Sequence, residues 1–543
     1  MAKKLRPKFI FVVGGVLSGV GKGVTSASIG AIMRSKGYKA TALKADPYVN
    51  VDAGTMNPIE HGEVFVTDDG DETDQDMGNY ERFLEIDLTS TNYMTTGRVY
   101  QSVIENERSM KYKGRCVQVV PHIPEEIIRR INVARKLHDA DITIMEIGGT
   151  VGEYENILFL EAIRELKLKN PQDVAVVLVS YLPVPKHIGE MKTKPTQHAA
   201  RALNHTGINA DMIVARGEYE LDTPRREKLA RFCGVSKEMC ISAPDVESIY
   251  EIPQKMDDQQ IGNKLLKLLG MSSRKSDLTP WLKLNKKISS AKKEVKIGVV
   301  GKYFGTGEYT LSDSYISVIE ALKHASWANG AKPKLVWIDS EDFENNPAKL
   351  KTLSDYDGIL VPGGFGTRGI EGIISTIKYA REKNIPYLGI CYGMQLACIE
   401  FVRNVLKKPE AHTVEVDDAT VHPVIHVNPN QRKNITNDRY GGTMRLGAYD
   451  CDLKKGSVAK KAYGQNAISE RHRHRYEFNN DYKEQIDKAG LKISGVNKKE
   501  DLVEIVELEK HPFFVGVQFH PEFKSRPMSP HPLFAAFIKA AIT

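Results

Sequence analysis

Pro386-Tyr387-Leu388-Gly389-Ile390-Cys391-Tyr392-Gly393-Met394-Gln395 is an apolar run that breaks at a glycine-flanked cysteine. The run predicts a buried strand, and residues 396–405 have helical length, so a strand turns sharply into a helix with Cys391 at the bend. A thiol at a helix N-terminus meets the positive end of the dipole and unpaired amides. These lower a thiol's pKa and can hold an oxyanion. A lone cysteine is otherwise a small core residue, but this one has company. Residues 515–519 alternate toward a strand, and His520-Pro521-Glu522 at its end offers an imidazole with a carboxylate to orient it. Residues 358–361 form another apolar strand, running into Pro362-Gly363-Gly364-Phe365-Gly366, whose glycines leave backbone amides open to a ligand. Three strand ends converge on one thiol.

The N-terminal half has a pattern of its own. Residues 9–13 predict a buried strand that enters Gly14-Gly15-Val16-Leu17-Ser18-Gly19-Val20-Gly21-Lys22-Gly23, after which 24–36 has helical spacing. Strand, glycine loop, lysine and helix make a phosphate cradle, in which amides and a helix N-terminus approach oxygens closely. Gly23 follows the lysine where a P-loop has Ser or Thr, so the hydroxyl that usually binds magnesium is missing and acids elsewhere must take its role. Residues 41–44 predict a second strand ending in Lys44-Ala45-Asp46-Pro47-Tyr48, at the sheet edge where doubly wound folds bind ligands. The acid-rich stretch 68–76 reads either as a solvated loop or as a source of metal ligands. Residues 141–147 are strand-like and carry Glu146 before Gly148-Gly149-Thr150-Val151-Gly152. A carboxylate inside an apolar strand is costly unless paired or metal-bound, which selects Glu146 with Asp76 as a magnesium pair. Strands are also expected at 174–182 and 211–215. Between them, Lys192-Thr193-Lys194-Pro195-Thr196-Gln197 puts lysines and hydroxyls before a helix, suited to a triphosphate.

With 543 residues the chain is long enough for two to four domains, and 41% hydrophobic content supports sizeable cores. A net charge of +7 suits nucleotide substrates but is too dilute to argue for nucleic acid. Six cysteines without a CxxC pair suggest neither a zinc site nor a disulfide framework, and a thiol nucleophile belongs in a reducing compartment, so a cytoplasmic location is expected. Residues 3–13 superficially imitate a signal peptide. The glycine loop that follows at once makes a first core strand the better reading. No run approaches the length of a membrane span.

The Cys391, His520 and Glu522 pieces closely resemble the class I glutamine amidotransferase domain, which implies Cys391 as nucleophile, His520 as base and Glu522 as its orienting carboxylate. With Gly14-Gly15, Gly21-Lys22-Gly23, Asp46-Pro47-Tyr48, His61-Gly62-Glu63-Val64-Phe65-Val66, Tyr80-Glu81-Arg82-Phe83, the 146–152 and 192–197 motifs, Gly442-Thr443-Met444-Arg445-Leu446-Gly447 and Glu470-Arg471-His472-Arg473-His474-Arg475-Tyr476-Glu477, nearly the whole chain resembles the CTP synthase family. The resemblance implies an α/β protein in two parts. A doubly wound, P-loop-like, dethiobiotin-synthetase-like amidoligase domain spans 1–270, a linker 271–293, and a flavodoxin-like class I glutamine amidotransferase domain 294–543. It implies ATP contacts at Ser18, Gly19, Val20, Gly21, Lys22, Gly23, Lys44, Asp76 and Arg216, with magnesium on Asp76 and Glu146. UTP or CTP contacts are implied at Ser18, Glu153, Tyr154, Glu155, Lys192, Thr193, Lys194, Pro195, Thr196, Gln197 and Lys228. Glutamine contacts are implied at Gly364, Tyr392, Gly393, Met394, Gln395, Glu415 and Arg475. It further implies Mg2+, ATP as co-substrate, GTP as an allosteric activator, UTP and L-glutamine as substrates, and a homotetramer.

The chain departs from the family pattern in several places. Gly152-Glu153-Tyr154-Glu155-Asn156 replaces a commoner Gly-Asp-Ile-Glu-Ser, which leaves product feedback open. Residues 304–310 look like an insertion, the 428–440 lid region associated with GTP differs, which leaves activation by GTP open, and Tyr392 stands for a more usual Leu. Two alternatives remain at this point: an amidase of cofactor side chains, and a nucleotide-switch or filament protein with an idle glutaminase.

Overall fold

A computed structural model describes residues 6–302, 305–306, 309–310, 312–428 and 441–543. Of the insertion expected at 304–310, only the paired strands Gly305–Thr306 and Tyr309–Thr310 are described. The lid region 428–440 lies outside the described residues apart from Asn428. The chain forms two compact units, one of residues 1–53 and 76–285 and the other of 54–75 and 286–543.

The first unit is built on a seven-stranded parallel sheet in the order Tyr93–Thr95, Ala40–Asp46, Ile142–Ile147, Lys8–Gly15, Val174–Tyr181, Met212–Gly217 and Cys240–Pro244. Alternation along the central strand sends Phe9, Phe11 and Val13 into one core and Ile10 and Val12 into the other. Helices cover both faces, which is why these strands are continuous apolar runs in the sequence. From Lys8–Gly15 the chain steps outward on one side, returns to Ile142–Ile147, then crosses to Val174–Tyr181 on the other side. That reversal opens a crevice at the carboxyl end of Lys8–Gly15, and the glycine loop fills its rim.

The second unit holds a nine-stranded sheet. Its parallel part runs Ala331–Asp339, Lys293–Gly301, Gly358–Val361, Tyr387–Ile390, Phe514–Val517. An antiparallel extension follows through Leu502–Leu508, Leu491–Asn497, Arg445–Leu453 and Ala467–His474. The strands that end in the glycine loop, the cysteine and the histidine are therefore immediate neighbours.

Two features depart from the sequence reading. Residues 54–75, which chain order puts in the first domain, belong to the second unit as a hairpin of Val64–Val66 and Glu72–Asp74. Phe65 packs edge-on against Phe523 at 5.1 Å, and Arg471 stacks over the Phe65 ring. The stretch expected as an exposed linker contains the helix Thr279–Ser290. Trp281 and Leu284, with Leu278 just before the helix, are buried at a spacing of three, and Trp281 packs on Phe83 and Tyr250 with centroids 5.2 and 6.2 Å away. Among the described residues no helix is long and apolar enough to cross a membrane. Trp281→Ala should cost roughly 3 kcal/mol or more of stability, the usual price of emptying a large aromatic site, measured by urea unfolding followed through far-UV circular dichroism.

Candidate active sites

The crevice of the first unit is organised by two lysines. Gly21, at φ 88, turns the chain into the helix Lys22–Ser35, and Lys22 Nζ donates to the Gly149 carbonyl at 2.8 Å. Val151 N–H donates to the Gly14 carbonyl at 2.8 Å, so the loop after Ile142–Ile147 is tied to the phosphate loop. Lys44 Nζ donates to Asp76 Oδ2 at 2.6 Å and Glu146 Oε1 at 2.8 Å, with Asp46 Oδ1 3.7 Å away. Asp46, which the sequence reading placed at the ligand-binding edge of the sheet without a role, joins this cluster. Its signal was its place at the end of a buried strand, two residues after Lys44, where alternation returns both side chains to one face.

Three carboxylates share the Lys44 ammonium, with Lys22 close enough to act on Glu146 and Asp76, and the cluster is still short of positive charge. Burial pushes Asp46 up to about 6 against the pull of Lys44, with Glu146 and Asp76 pushing the same way. Burial, then Asp76, also raises Glu146. For Asp76, burial would raise the carboxyl too, but Lys44 and the Asn79 amide hold it below its ordinary range. Burial lowers the Lys22 ammonium. A hard divalent cation with oxygen ligands would relieve this imbalance, so the donor set fits magnesium.

The missing hydroxyl after Lys22 has a steric reason. A Cβ on Gly23 would stand 1.9 Å from Asp76 Oδ1. The Asp76 carboxylate occupies the space that a Ser or Thr side chain needs, so glycine and acid come as a pair.

The other nucleotide-site candidates divide. Arg216 lies beside Gly21, whose Cβ would be 3.3 Å from its Nε, and it donates to the Ala243 carbonyl at 3.1 Å and Asp245 at 3.1 Å. Ser18 and Gly19 are exposed at the loop tip, and Val20 is buried. Thr196 accepts from Ser180 Oγ at 2.8 Å, and Ser180 pairs in register with Gly15, which brings the 192–197 segment to the same sheet edge. Gln197 donates to Thr193 Oγ1, and its own Oε1 is buried without a partner. Pro195 sits in the first turn of the helix Lys194–His205. Lys192 pairs with Glu190 at 2.8 Å, and Lys194 is exposed near the Phe232 ring. Glu153 folds back on its own turn, accepting from Thr150 N–H at 2.9 Å, while Tyr154 is 92% exposed and Glu155 is exposed. Lys228 is exposed on the helix Thr223–Cys233.

In the second unit Cys391 caps the helix Tyr392–Asn404 with φ 50 and ψ −99, a conformation that non-glycine residues avoid. Close approaches hold it there. A Cβ on Gly393 would stand 2.4 Å from the Val361 carbonyl, one on Gly389 2.8 Å from the Gly393 backbone, and Cys391 N–H donates to the Val517 carbonyl at 2.6 Å. His520 Nδ1 lies 2.8 Å from Glu522 Oε1. The ring and the cysteine flank Gly363, where a Cβ would be 2.8 Å from His520 Cε1 and 3.8 Å from Cys391 Cβ. Burial alone would lower the imidazole, yet Glu522 and the Cys391 sulfur raise it to about 10. The imidazole is thus oriented by Glu522 with its other face toward the cysteine.

A cavity of about 720 Å³ opens over the thiol, lined by Gly364, Gln395, Glu415 and Arg475 as well as Cys391 and His520. Glu415 Oε1 accepts from Gly366 N–H at 2.9 Å, and burial raises its carboxyl. Arg475 donates to Thr443 Oγ1 at 2.9 Å. Gly393 and Met394 are buried in the first turn of the helix. The Tyr392 side chain has a place of its own. Its ring is buried and its hydroxyl donates to the Gly366 carbonyl at 3.1 Å, a carbonyl that Lys302 Nζ also reaches at 2.7 Å, so this side chain braces the glycine loop.

Residues 54–58, Glu63 and Val64 line the same cavity, a contribution the sequence reading missed. Alternation along Ala467–His474 explains how they are held. Arg471 pairs with Asp68, Arg473 donates to Glu72 Oε1 at 2.8 Å and to the Gly54 carbonyl at 3.2 Å, and Glu63 accepts from Ser317 N–H at 3.1 Å. Burial would raise Asp68, but Arg471 and Lys524 hold it below its usual range. The acid-rich stretch is therefore no solvated loop: Asp68 and Glu72 neutralise arginines, and Asp76 belongs to the lysine cluster.

Glycine-bordered elbow, Cys-His-Glu and a cavity sized for a small polar ligand define a glutamine amidotransferase. Comparison with known proteins is consistent with both halves: residues 8–271 match the family description "CTP synthase N-terminus", and 310–540 match "Glutamine amidotransferase class-I". Proteins named CTP synthase from Pyrococcus abyssi and Symbiobacterium thermophilum are 52% and 50% identical, each over 98% of both chains. The solved glutaminase domain of Trypanosoma brucei CTPS, with bound acivicin, is 40% identical, covers 46% of this chain and 94% of that one, and has a TM-score of 0.42. The chain belongs to the CTP synthase family and is a ligase.

Two outcomes follow from the geometry. Gly23→Ala must displace Asp76 and should lower ATP-dependent turnover about 100-fold or more in steady-state assays. His520, whose folded pKa is raised, contributes stability that is fully present below its ordinary value of 6.5 and is lost as pH rises through about 10. Glu522→Gln should flatten the fall in unfolding free energy across that window, measured by denaturant titrations at successive pH values.

Proposed function

We propose that this enzyme converts UTP to CTP with ATP, taking nitrogen from glutamine hydrolysed at Cys391, His520 and Glu522. The observation that carries the glutaminase half is the backbone of Cys391, held at positive φ beside a buried His520–Glu522 pair. The sulfur attacks the side-chain amide carbon of glutamine. Amides at the start of the helix Tyr392–Asn404 and in the Gly363–Gly364 loop take up the oxyanion. His520, oriented through Nδ1 by Glu522, protonates the departing ammonia and then activates water to release glutamate. Glu415 and Arg475 carry opposite charges on the cavity wall, complementary to the ammonium and carboxylate of an amino acid. Both hydrogens of Gln395 Nε2 are engaged, with the Tyr476 carbonyl and Gln518, so Gln395 offers a ligand its carbonyl oxygen.

In the first unit the C4 oxygen of UTP, a poor leaving group, is phosphorylated before ammonia displaces it. Lys22 and Lys44 lie where a triphosphate would enter, with Arg216 beside the loop, and the 192–197 segment supplies hydroxyls and a helix N-terminus for UTP. Magnesium would be held by Asp76 and Glu146, with Asp46 as a third carboxylate, and when bound would offset charge on the transferring phosphoryl group. Family membership supports GTP activation and a homotetramer, to be tested by turnover with and without GTP and by light scattering. Cys391→Ala should abolish glutamine-dependent CTP formation, followed by absorbance, and leave ammonia-dependent formation within about twofold. Glutamine turnover surviving in that variant would remove the nucleophile assignment.

A further inference from the structure

The carboxamide of Gln518 lies against the nucleophile and has no part in the chemistry above. Gln518 is 0% exposed, and its Nε2 is 3.7 Å from Cys391 Sγ. Its Oε1 accepts from Gln395 Nε2 at 3.2 Å, and the same Gln395 nitrogen donates to the Tyr476 carbonyl at 3.0 Å. A backbone carbonyl can only accept, so Gln395 must turn its NH2 group toward Tyr476. The second hydrogen of that group points to Gln518, which must answer with oxygen. Gln518 is then left with its own NH2 directed at the sulfur. One main-chain oxygen thus decides the orientation of both amides.

The main chain holds the arrangement in register. Gln518 N–H donates to the Glu504 carbonyl at 2.9 Å, and the preceding Val517 carbonyl accepts from Cys391 N–H at 2.6 Å. We propose that Gln518 is a positioning residue for glutamine hydrolysis, donating an N–H to Cys391 Sγ so that the thiolate is stabilised and its remaining lone pairs are turned toward the cavity. Gln395 and the Tyr476 carbonyl orient it. The donor matters most when the sulfur carries charge, because hydrogen bonds to ionised acceptors are the stronger ones.

This inference rests on Cys391 being the nucleophile, and the test separates the two. In the full-length enzyme, Gln518→Met keeps the volume and removes the donor, whereas Gln518→Glu keeps an acceptor for Gln395 and sets a carboxylate oxygen against the sulfur. Both should slow iodoacetamide alkylation of Cys391, resolved from the other cysteines by peptide mass spectrometry, by about tenfold or more, the effect of one hydrogen bond to a charged group. Glutamine kcat/KM should fall in parallel, with ammonia-dependent turnover unchanged. The Gln518→Glu defect should shrink as pH is lowered and the carboxyl regains a proton to donate, while the Gln518→Met defect should not. A parent-like alkylation rate in Gln518→Met, or a Gln518→Glu defect that ignores pH, overturns the proposal; if Gln518→Met does not fold, the Gln518→Glu profile decides alone. Glutamine turnover surviving in Cys391→Ala would instead sink the nucleophile reading itself.

Discussion

The main chain at Cys391 is the constraint on which the second unit depends. A residue with a side chain is held at φ 50 between a strand and a helix, at a cost of order 1–3 kcal/mol that only its surroundings can offset. Those surroundings are the backbone contacts at Gly389 and Gly393 and the hydrogen bond to Val517. The same bend lifts the thiol out of the sheet edge, aims the first helical amides at the cavity and sets the sulfur beside an imidazole from the neighbouring strand. Backbone strain, a helix N-terminus and the neighbouring imidazole meet in one piece of geometry.

The first unit solves a different problem with charge. Its lysines and carboxylates are buried together, where unpaired charge is expensive. Lys44 satisfies part of the demand of Asp46, Asp76 and Glu146, and the raised carboxyls of Asp46 and Glu146 record what is left over. Such a cluster is poised for cationic ligands and for the anions that accompany them.

Much of this was legible in the chain. Strand-end glycines, the cysteine elbow, His520-Pro521-Glu522 and Glu146 within an apolar strand each carry a local pattern, and the structure sets the three glutaminase strands side by side. What escaped was long-range. Nothing local to residues 54–75 says that they pack with residues four hundred positions later; the complementary signal was split between an acid-rich run and the alternating arginines at 471 and 473. Gly23 looked like a defect in a phosphate loop until Asp76 was seen to fill the space. The stripe of Leu278, Trp281 and Leu284 was hidden among serines and lysines that read as a tether. Gln518 could have been suspected from its place two residues before His520, but its role depends on a carbonyl that no pattern announces.

The hairpin at 64–74 makes the second unit discontinuous along the gene. A fragment excised from residue 286 onward would lack one wall of its cavity and would leave Arg471, a fully buried guanidinium, without the Asp68 carboxylate that neutralises it. Substitutions within residues 54–75 would therefore reach a cavity whose cysteine is encoded more than three hundred codons downstream, so the two halves cannot be exchanged between relatives as simple cassettes.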